Sequence, residues 1–418
     1  MKTSPQKKRI WILNHHASGN GDRHDALANE LAKLGVEVLV IASSFNHSEF
    51  NYRHSEKCVI EKRNDHLSYA WLHTTPGYTG NGIKRIINMI SYLQMVKQFS
   101  SKWWKHYGKP DIIIGSSVHP FAWEAAYWIS KRTGAEFVAE VRDLWPLSLI
   151  EVQKVSPKHP LVLLFSILEK RAYCRAKKII TTMPYGYKYI SDILGFPKEK
   201  IEWIPNGIDT EKVDNISKSI DIKLPNNLKM YLENNWCAVY TGSLVESECI
   251  DYILDSAKIL QNRGNNIIKF AIIGDGHLKK QLIEEAQKQN LKNVVFFDRI
   301  SKEQVAIVVS KAKVCLAAVR NLPLYKYGLS MNKLSDYLYS GNPTIFVCDV
   351  ENVVKISGGG ITLPYGDREL YADSIESVYS MSEDKKRTMT DKAREVIKKQ
   401  YDTSSLAKQL LAIFESNQ

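Results

Sequence analysis

Disulfide pairs, zinc clusters and membrane spans are all missing from this sequence. Its six cysteines (Cys58, Cys174, Cys237, Cys249, Cys315 and Cys348) stand far apart, with no CxxC pair. That spacing suits reduced thiols in a cytosolic protein and excludes a disulfide framework or a zinc module. No apolar run approaches the roughly 20 residues that cross a bilayer. The longest candidate, Leu161–Leu168 (LVLLFSIL), reads as a helix face. The leading stretch MKTSPQKKRIWILN is basic but has no apolar core and no small-residue cleavage site, so no signal peptide is expected. Acidic charge is also scarce in one half. Up to Pro205 there are 29 Lys+Arg against 18 Asp+Glu, and beyond it 28 against 27. Ten of the 11 histidines and eight of the nine tryptophans fall in that first part. The asymmetry points to an anionic partner: nucleic acid, acidic lipid or a phosphorylated acceptor. A solvated basic surface is the plain alternative. Nucleic acid is set aside, because the basic residues are dispersed and no recognised binding motif occurs.

What is present is an alternation of short β-branched runs and longer helical patterns. A chain of 418 residues suits two α/β domains better than one core. The runs lack period-two alternation, as parallel strands covered on both faces do. In the first half they read Arg9–Leu13, Val36–Ala42, Asp111–Gly115, Glu136–Val141, Lys178–Thr182 and Lys200–Ile204, with helices at Asp25–Leu34, Phe121–Lys131 and Leu161–Arg175. The plan restarts at Cys237–Gly242 and runs on through Ile267–Gly274, Asn293–Phe297, Lys313–Ala318 and Thr344–Cys348. Right-handed crossovers make each half a doubly wound, Rossmann-like sheet. The expected domains are 1–205 and 206–402, with the seam at IPNGID (Ile204–Asp209) and a C-terminal helix of about 403–418 packing back on the first. Ligands of such sheets sit beyond the carboxyl ends of the strands. Two facing sheets would put both sets of ends on one cleft, where a donor and an acceptor could meet.

The densest chemistry lies in GLSMNKLSDYLYSGNPTIF, Gly328 to Phe346. A loop from Gly328 to Asn332 leads into a short helix, which Gly341 ends before Pro343 opens the next strand. A helix start with free N–H groups suits a diphosphate. Lys333 in the first turn is electrostatically misplaced unless an anion binds there, and Asp336, one turn on, can accept from two ribose hydroxyls. An ordinary capped helix is the alternative. Gly274 and Gly276 in IIGDG, and Gly242 and Ser243 in YTGSL, are weak signals alone but sit at strand ends that suit a base or ribose.

In the first half, Gly19-Asn-Gly21-Asp-Arg23-His24 follows a strand and precedes a helix. Its glycines permit close approach to a phosphate that Arg23 can pair with, so it reads as an acceptor-side or donor-phosphate loop. Arg142 and Asp143, in EVRDLWP at a strand end, should reach the cleft; an Arg–Asp ion pair bracing the loop is the alternative. His119, in SSVHP, is a further candidate, though a lone histidine is more often structural. The stretch Ile83–Lys109 mixes Lys84, Arg85, Lys97, Lys102 and Lys105 with Trp103 and Trp104, the composition of an interfacial helix at an anionic membrane. A core-packed helix with a solvated basic face is the alternative.

The ordered set NHHASGNGDRHDALANELAKLGVEV, EVRDLWP, RAKKIITTM, IPNGID, YTGSL, IIGDG, YGLSMNKLSDYLYSGNP and GGGITLPYGDREL resembles the GT-B-fold glycosyltransferases of family 4, above all those that build bacterial O-antigen and capsule chains. The resemblance covers nearly the whole chain. It implies a retaining transferase that moves a sugar from a nucleoside-diphosphate sugar to a glycan acceptor, lipid-linked in this reading, with no covalent enzyme intermediate. The departing diphosphate then accepts the acceptor's proton. It also implies that Asp336 holds the donor ribose, that Ser330, Asn332, Lys333 and Leu334 hold the diphosphate, and that Gly274, Arg299 and Ile300 border the base. Together with IPNGID, the lack of a DxD motif implies no metal and no other cofactor. The implied place is cytoplasmic, peripheral at the inner membrane face. Two positions depart from the pattern. Gly328 stands where many members have a second acidic residue, and Ser243, Glu246, Ser247 and Glu248 occupy the region of an Arg–Lys pair. A nucleotide-sugar epimerase of the same architecture, or a non-catalytic sugar-nucleotide-binding protein, are the competing readings.

Overall fold

The computed structural model describes residues 7–47, 49–80, 82–218 and 222–415. The first residues of the leading basic stretch and the end of the expected C-terminal helix, 416–418, lie outside them. The chain divides into two compact units: one takes residues up to Asn206 with Lys326–Ser330 and the chain from Leu406, the other Gly207–Tyr325 and Met331–Ser405.

The first unit holds an eight-stranded sheet. Its strands are β1 (Arg9–Leu13), β2 (Glu37–Ser43), β3 (Cys58–Lys62), β4 (Leu67–Leu72), β5 (Ile112–Ser116), β6 (Glu136–Val141), β7 (Lys178–Thr181) and β8 (Ile201–Trp203). Their spatial order is β8-β7-β6-β5-β1-β2-β4-β3. Every pairing is parallel except β3 with β4. The hairpin β3–β4 is absent from the sequence reading: it is an antiparallel edge, joined by a short turn, in a sheet expected to be parallel throughout. The central strands are buried on both faces, which is why RIWIL and EFVAEV show no alternation. Helices α1 (Arg23–Lys33), α2 (Ile83–Tyr107), α3 (Pro120–Thr133) and α4 (Pro160–Arg175) make the crossovers. Pro120 opens α3 at a position where its missing N–H costs nothing, and Gly134 closes it in the left-handed region.

The second unit carries β9 (Trp236–Ser243), β10 (Ile268–Asp275), β11 (Val294–Phe297), β12 (Val314–Ala318), β13 (Thr344–Val347) and β14 (Gly360–Leu363). The order is β11-β10-β9-β12-β13-β14, all parallel. Its core joins Tyr240, Ile272 and Leu316 of the sheet to Ile253, Leu254 and Ile375 of the flanking helices. Helices α5 (Asn332–Tyr339) and α6 (Thr403–Glu415) matter below. The apolar side chains Leu406, Leu410 and Phe414 of α6 join the first unit's core beside Ile10 and Val38.

Candidate functional site

In each sheet the strand order reverses at one place, between β1 and β5 in the first and between β9 and β12 in the second. The loops leaving those strands diverge there, opening the crevice where ligands of doubly wound sheets bind.

In the second unit, Gly242 ends β9 opposite Gly274 of β10. A Cβ at Gly274 would stand 1.8 Å from the Gly242 carbonyl oxygen, so only glycine lets these strand ends run so close. Lys333, at the start of α5, reaches back to the first of them: a Cβ on Gly242 would meet its Nζ at 2.5 Å. The ammonium donates to Glu248 Oε2 at 2.5 Å and to the Tyr240 hydroxyl at 3.0 Å. Both ions are largely covered, at 13% and 17% side-chain exposure. Burial pulls the Lys333 ammonium below its usual range, and Glu248 opposes that pull. The lysine therefore occupies the expected crevice, but it carries a carboxylate partner that sequence reasoning missed. Glu248 belongs to the region where the Arg–Lys pair was lacking; in place of a second cation the loop supplies a counter-ion.

Asp336 lies one turn after Lys333, on a recess lined by Val213, Ala306, Val309 and Tyr339. Desolvation there pushes its carboxyl up to about 6, with Lys302 acting in the opposite sense. Asn332 is exposed at the helix start and Leu334 is buried beneath it. Ser243 is the last residue of β9 and Gly276 follows β10, while Arg299 is exposed and Ile300 half-buried just after β11. Ser330 groups with the first unit, where its side chain and carbonyl accept from Asn206.

Gly328, also in the first unit, explains its own departure from the family pattern. Its φ is +93°, and an added Cβ would stand 2.5 Å from Pro184 Cγ. An acidic residue there would be strained and would press on the Pro184 ring, so the loop as folded disfavours it. Gly328→Glu should cost roughly 1–3 kcal/mol of stability from a strained left-handed residue plus the clash, read in a urea melt, without tightening donor binding. A stable Gly328→Glu variant with improved donor affinity would show that the loop can accept the acid.

The first unit departs from expectation at its glycine loop. The Asp22 carboxylate accepts from Ser18 N and Ser18 Oγ, from Gly19 N, and from the amides of His24 and Asp25 at the start of α1. Gly21 N goes to Asp25. The N–H groups read as a phosphate cradle are thus turned onto the loop's own aspartates. Arg23 and His24 are likewise committed. Arg23 pairs with Glu140 at 2.9 Å and donates to the carbonyls of Ile204 and Pro205. His24 Nε2 meets the other Glu140 oxygen at 2.7 Å. These side chains are 1–3% exposed. Burial alone would push the Glu140 carboxyl up, but His24 and Arg23 hold it well below the usual carboxylate range. Arg23 and His24 are therefore an internal brace, not an anion site: the sequence spacing placed them in the loop but could not show that Glu140 closes on them.

Arg142 is half-buried and Asp143 exposed beyond β6. Among the described residues no ion pair joins them. Ser117, after β5, holds their turn instead: its hydroxyl takes the amides of Arg142 and Asp143, and its carbonyl takes Trp145 Nε1. His119 sits on the same β5 loop, fully buried, with its Nε2 at 2.6 Å from His15 Nδ1 on the β1 loop. His15 and His119 thus meet at the switch point of this sheet. His15 escaped the sequence reading although it stands in NHH directly after β1.

Comparisons with known proteins follow this division. The family described as Glycosyltransferase Family 4 matches residues 25–212, and that described as Glycosyl transferases group 1 matches residues 237–381. The putative colanic acid biosynthesis glycosyl transferase WcaI of Escherichia coli K12 is 22% identical over 294 residues, 69% of this chain and 70% of that protein. Among solved structures, sucrose-phosphate synthase from Thermosynechococcus elongatus superposes with a TM-score of 0.72 at 14% identity, covering 98% of this chain and 99% of the other. Anabaena HepE, solved with UDP and glucose, superposes at 0.66 and 13% identity over 98% and 100%. Two matched halves, one on each Rossmann-like unit, identify the chain as a GT-B-fold glycosyltransferase belonging to the family 4 type.

Proposed function

We propose that this glycosyltransferase is a retaining enzyme that moves a hexose from a nucleoside-diphosphate sugar onto a lipid-linked glycan in cell-surface polysaccharide synthesis, of the O-antigen or capsule kind. The observation that carries the reading is the Lys333 ammonium held beside the Gly242 strand end at the start of α5. A diphosphate placed there meets the Lys333 ammonium, which it would share with Glu248, and the start of α5, with Asp336 one turn away for a ribose. The second unit is then the donor domain and the first the acceptor domain. His119, Arg142 and Asp143 orient the acceptor hydroxyl at the carboxyl ends of β5 and β6. Catalysis is positioning and charge stabilisation without a metal, and the leaving diphosphate takes the proton. The UDP in the HepE structure and the colanic acid role in the name of WcaI support the donor class and the pathway type.

The test is a thermal-shift screen with UDP-, GDP- and ADP-linked sugars, followed by transfer assays and the anomeric configuration of the product. A donor at a hundred times its Kd should stabilise the chain by about 2.7 kcal/mol. No shift with any donor, or an inverted product, overturns the reading.

The membrane part of the proposal rests on the basic first half, and the contact moves within α2. Trp103 is buried edge-on against Trp11, at 6.3 Å between centroids, so that tryptophan belongs to the core, while Trp104 is half-buried. Ile83, Ile87 and Ile90, at the other end, are the exposed apolar side chains, next to Lys84. No helix among the described residues is long and apolar enough to cross a membrane. Co-sedimentation with anionic liposomes should fall with added salt and vanish with neutral lipid, because each nearby Lys or Arg contributes about 1 kcal/mol at an anionic surface. Equal binding to both lipids would remove the electrostatic part.

A further inference from the structure

The hydrogen bonds behind His119 fix which of its nitrogens carries a proton. Asn88 is fully buried, and its Nδ2 donates to two carbonyls, Thr74 O at 3.1 Å and Pro76 O at 2.8 Å. That orients the amide, so Asn88 Oδ1 is the acceptor of the Thr74 hydroxyl at 3.1 Å. The single Thr74 proton is then used. Its oxygen accepts from the Ser43 hydroxyl, 2.6 Å away, and from His15 Nε2, 3.5 Å away. Ser43 must be the donor in that pair because the Thr74 proton is already on Asn88, and the Ser43 oxygen itself accepts from Phe45 N. His15 accordingly carries its proton on Nε2, and its bare Nδ1 accepts from His119 Nε2 at 2.6 Å. The remaining nitrogen, His119 Nδ1, is then an unprotonated lone pair; it is buried and has no hydrogen-bond partner among the described residues. Such an atom carries an unmet desolvation cost that a bound hydroxyl would relieve.

The rings cannot turn away from this arrangement. His15 stacks on Tyr92 at 4.7 Å, and Tyr92 is itself anchored by its hydroxyl to Ile41 O. His119 meets His15 edge-on at 4.7 Å. The surroundings also keep both rings neutral. Burial, with His47 and Arg85 nearby, pulls His15 down to about 3, and burial, His15 and Arg85 pull His119 well below its usual value. His16 faces them, lowered in the same way. With both rings neutral, the hydrogen bonds alone select the tautomer.

We propose that His15, anchored by Thr74 and Asn88, is a positioning residue that fixes the tautomer of His119, so that His119 Nδ1 accepts the hydrogen bond of a sugar hydroxyl in the transfer reaction. The inference rests on the glycosyltransfer reading above and adds the residues that set its geometry.

The experiment combines nitrogen-15 histidine spectra of the full chain with steady-state transfer kinetics for wild type, His15→Leu, His15→Asn, Thr74→Val and His119→Ala. In wild type the His119 Nδ1 resonance should be that of an unprotonated nitrogen and should move when the sugar substrates bind. His15→Leu should lower kcat by about a hundredfold, the low end for a positioned proton-handling group, with the donor KM within twofold. His15→Asn, which places an amide where Nδ1 stood, should recover most of that loss. In the His119→Ala background, His15→Leu should have no further effect, because the two act as one unit. Thr74→Val, which removes the hydroxyl that receives His15 Nε2, should disturb the His119 resonance and kcat together, and serves if His15→Leu does not fold. Additive losses in the double variant, or a protonated Nδ1 in wild type, overturn the proposal. A wild-type chain that transfers no sugar overturns the reading beneath it. Wild-type transfer with His15→Leu and Thr74→Val unimpaired overturns the relay alone.

Discussion

Lys333→Ala should weaken donor binding by roughly 10- to 150-fold, the 1.5–3 kcal/mol of a charge-assisted hydrogen bond, and lower turnover while the fold persists. Isothermal titration with the donor found in the thermal screen measures it. Glu248 makes the loss larger than that of one phosphate contact. It is 2.5 Å from the ammonium and mostly covered. Without the lysine its carboxylate remains beside the diphosphate site and repels the ligand. Glu248→Gln in the Lys333→Ala background should therefore recover about 1.4 kcal/mol, a tenfold gain in affinity. In the wild-type background the same change frees Lys333 and should leave donor binding equal or tighter. Unchanged affinity in a folded Lys333→Ala protein would remove the diphosphate from this crevice. Asp336 adds a pH signature: with its carboxyl at about 6, the ionised form that accepts from ribose dominates only above that value. Donor affinity should rise from pH 5 to pH 7, for a nucleoside-diphosphate sugar whose own diester does not titrate there.

The largest effect on stability should come from the other unit. Glu140→Ala leaves Arg23 buried without its counter-ion, and breaking such a pair costs about 3–5 kcal/mol. For a unit of this size that lowers Tm by roughly 10 °C, measured by calorimetry or near-ultraviolet dichroism. Arg23→Ala should cost a similar amount, and the double variant less than the sum, because the three charged and polar partners share one network. The sign with pH follows from Glu140. Its folded carboxyl is held well below the unfolded value, so its contribution is fully present above the unfolded pKa and is lost as the pH falls through the folded one. Acid should thus unfold wild type while affecting a Glu140→Ala chain less steeply. If Arg23→Ala left Tm intact and weakened a phosphorylated ligand instead, the loop would be the anion site that its glycines suggest.

Much of the fold is legible in the sequence. Continuous β-branched runs with no alternation gave two parallel sheets, because strands buried on both faces leave no solvent side for polar residues. The hairpin β3–β4 escaped because CVIEK and LSYAWL carry no turn dipeptide of the strong hairpin type between them. The helix start of α5, and the place of Lys333 and Asp336 on it, also followed from local sequence, since caps and glycine stops are encoded within a few residues.

What the sequence alone determined is therefore local: strands, helix starts, the two-unit plan, and which charged residues stand at strand ends. Partnership was decided only by tertiary structure. Arg23 and Glu140 are 117 residues apart, Lys333 and Glu248 are 85, and His15 and His119 are 104. Spacing in the chain cannot reveal such pairs, because crossovers bring the strand ends together in an order different from that of the sequence. The same physics reversed one reading and sharpened another. An arginine in a glycine loop looks like an anion ligand until a buried carboxylate claims it, and a histidine in SSVHP looks ordinary until a second histidine takes one of its nitrogens and leaves the other bare.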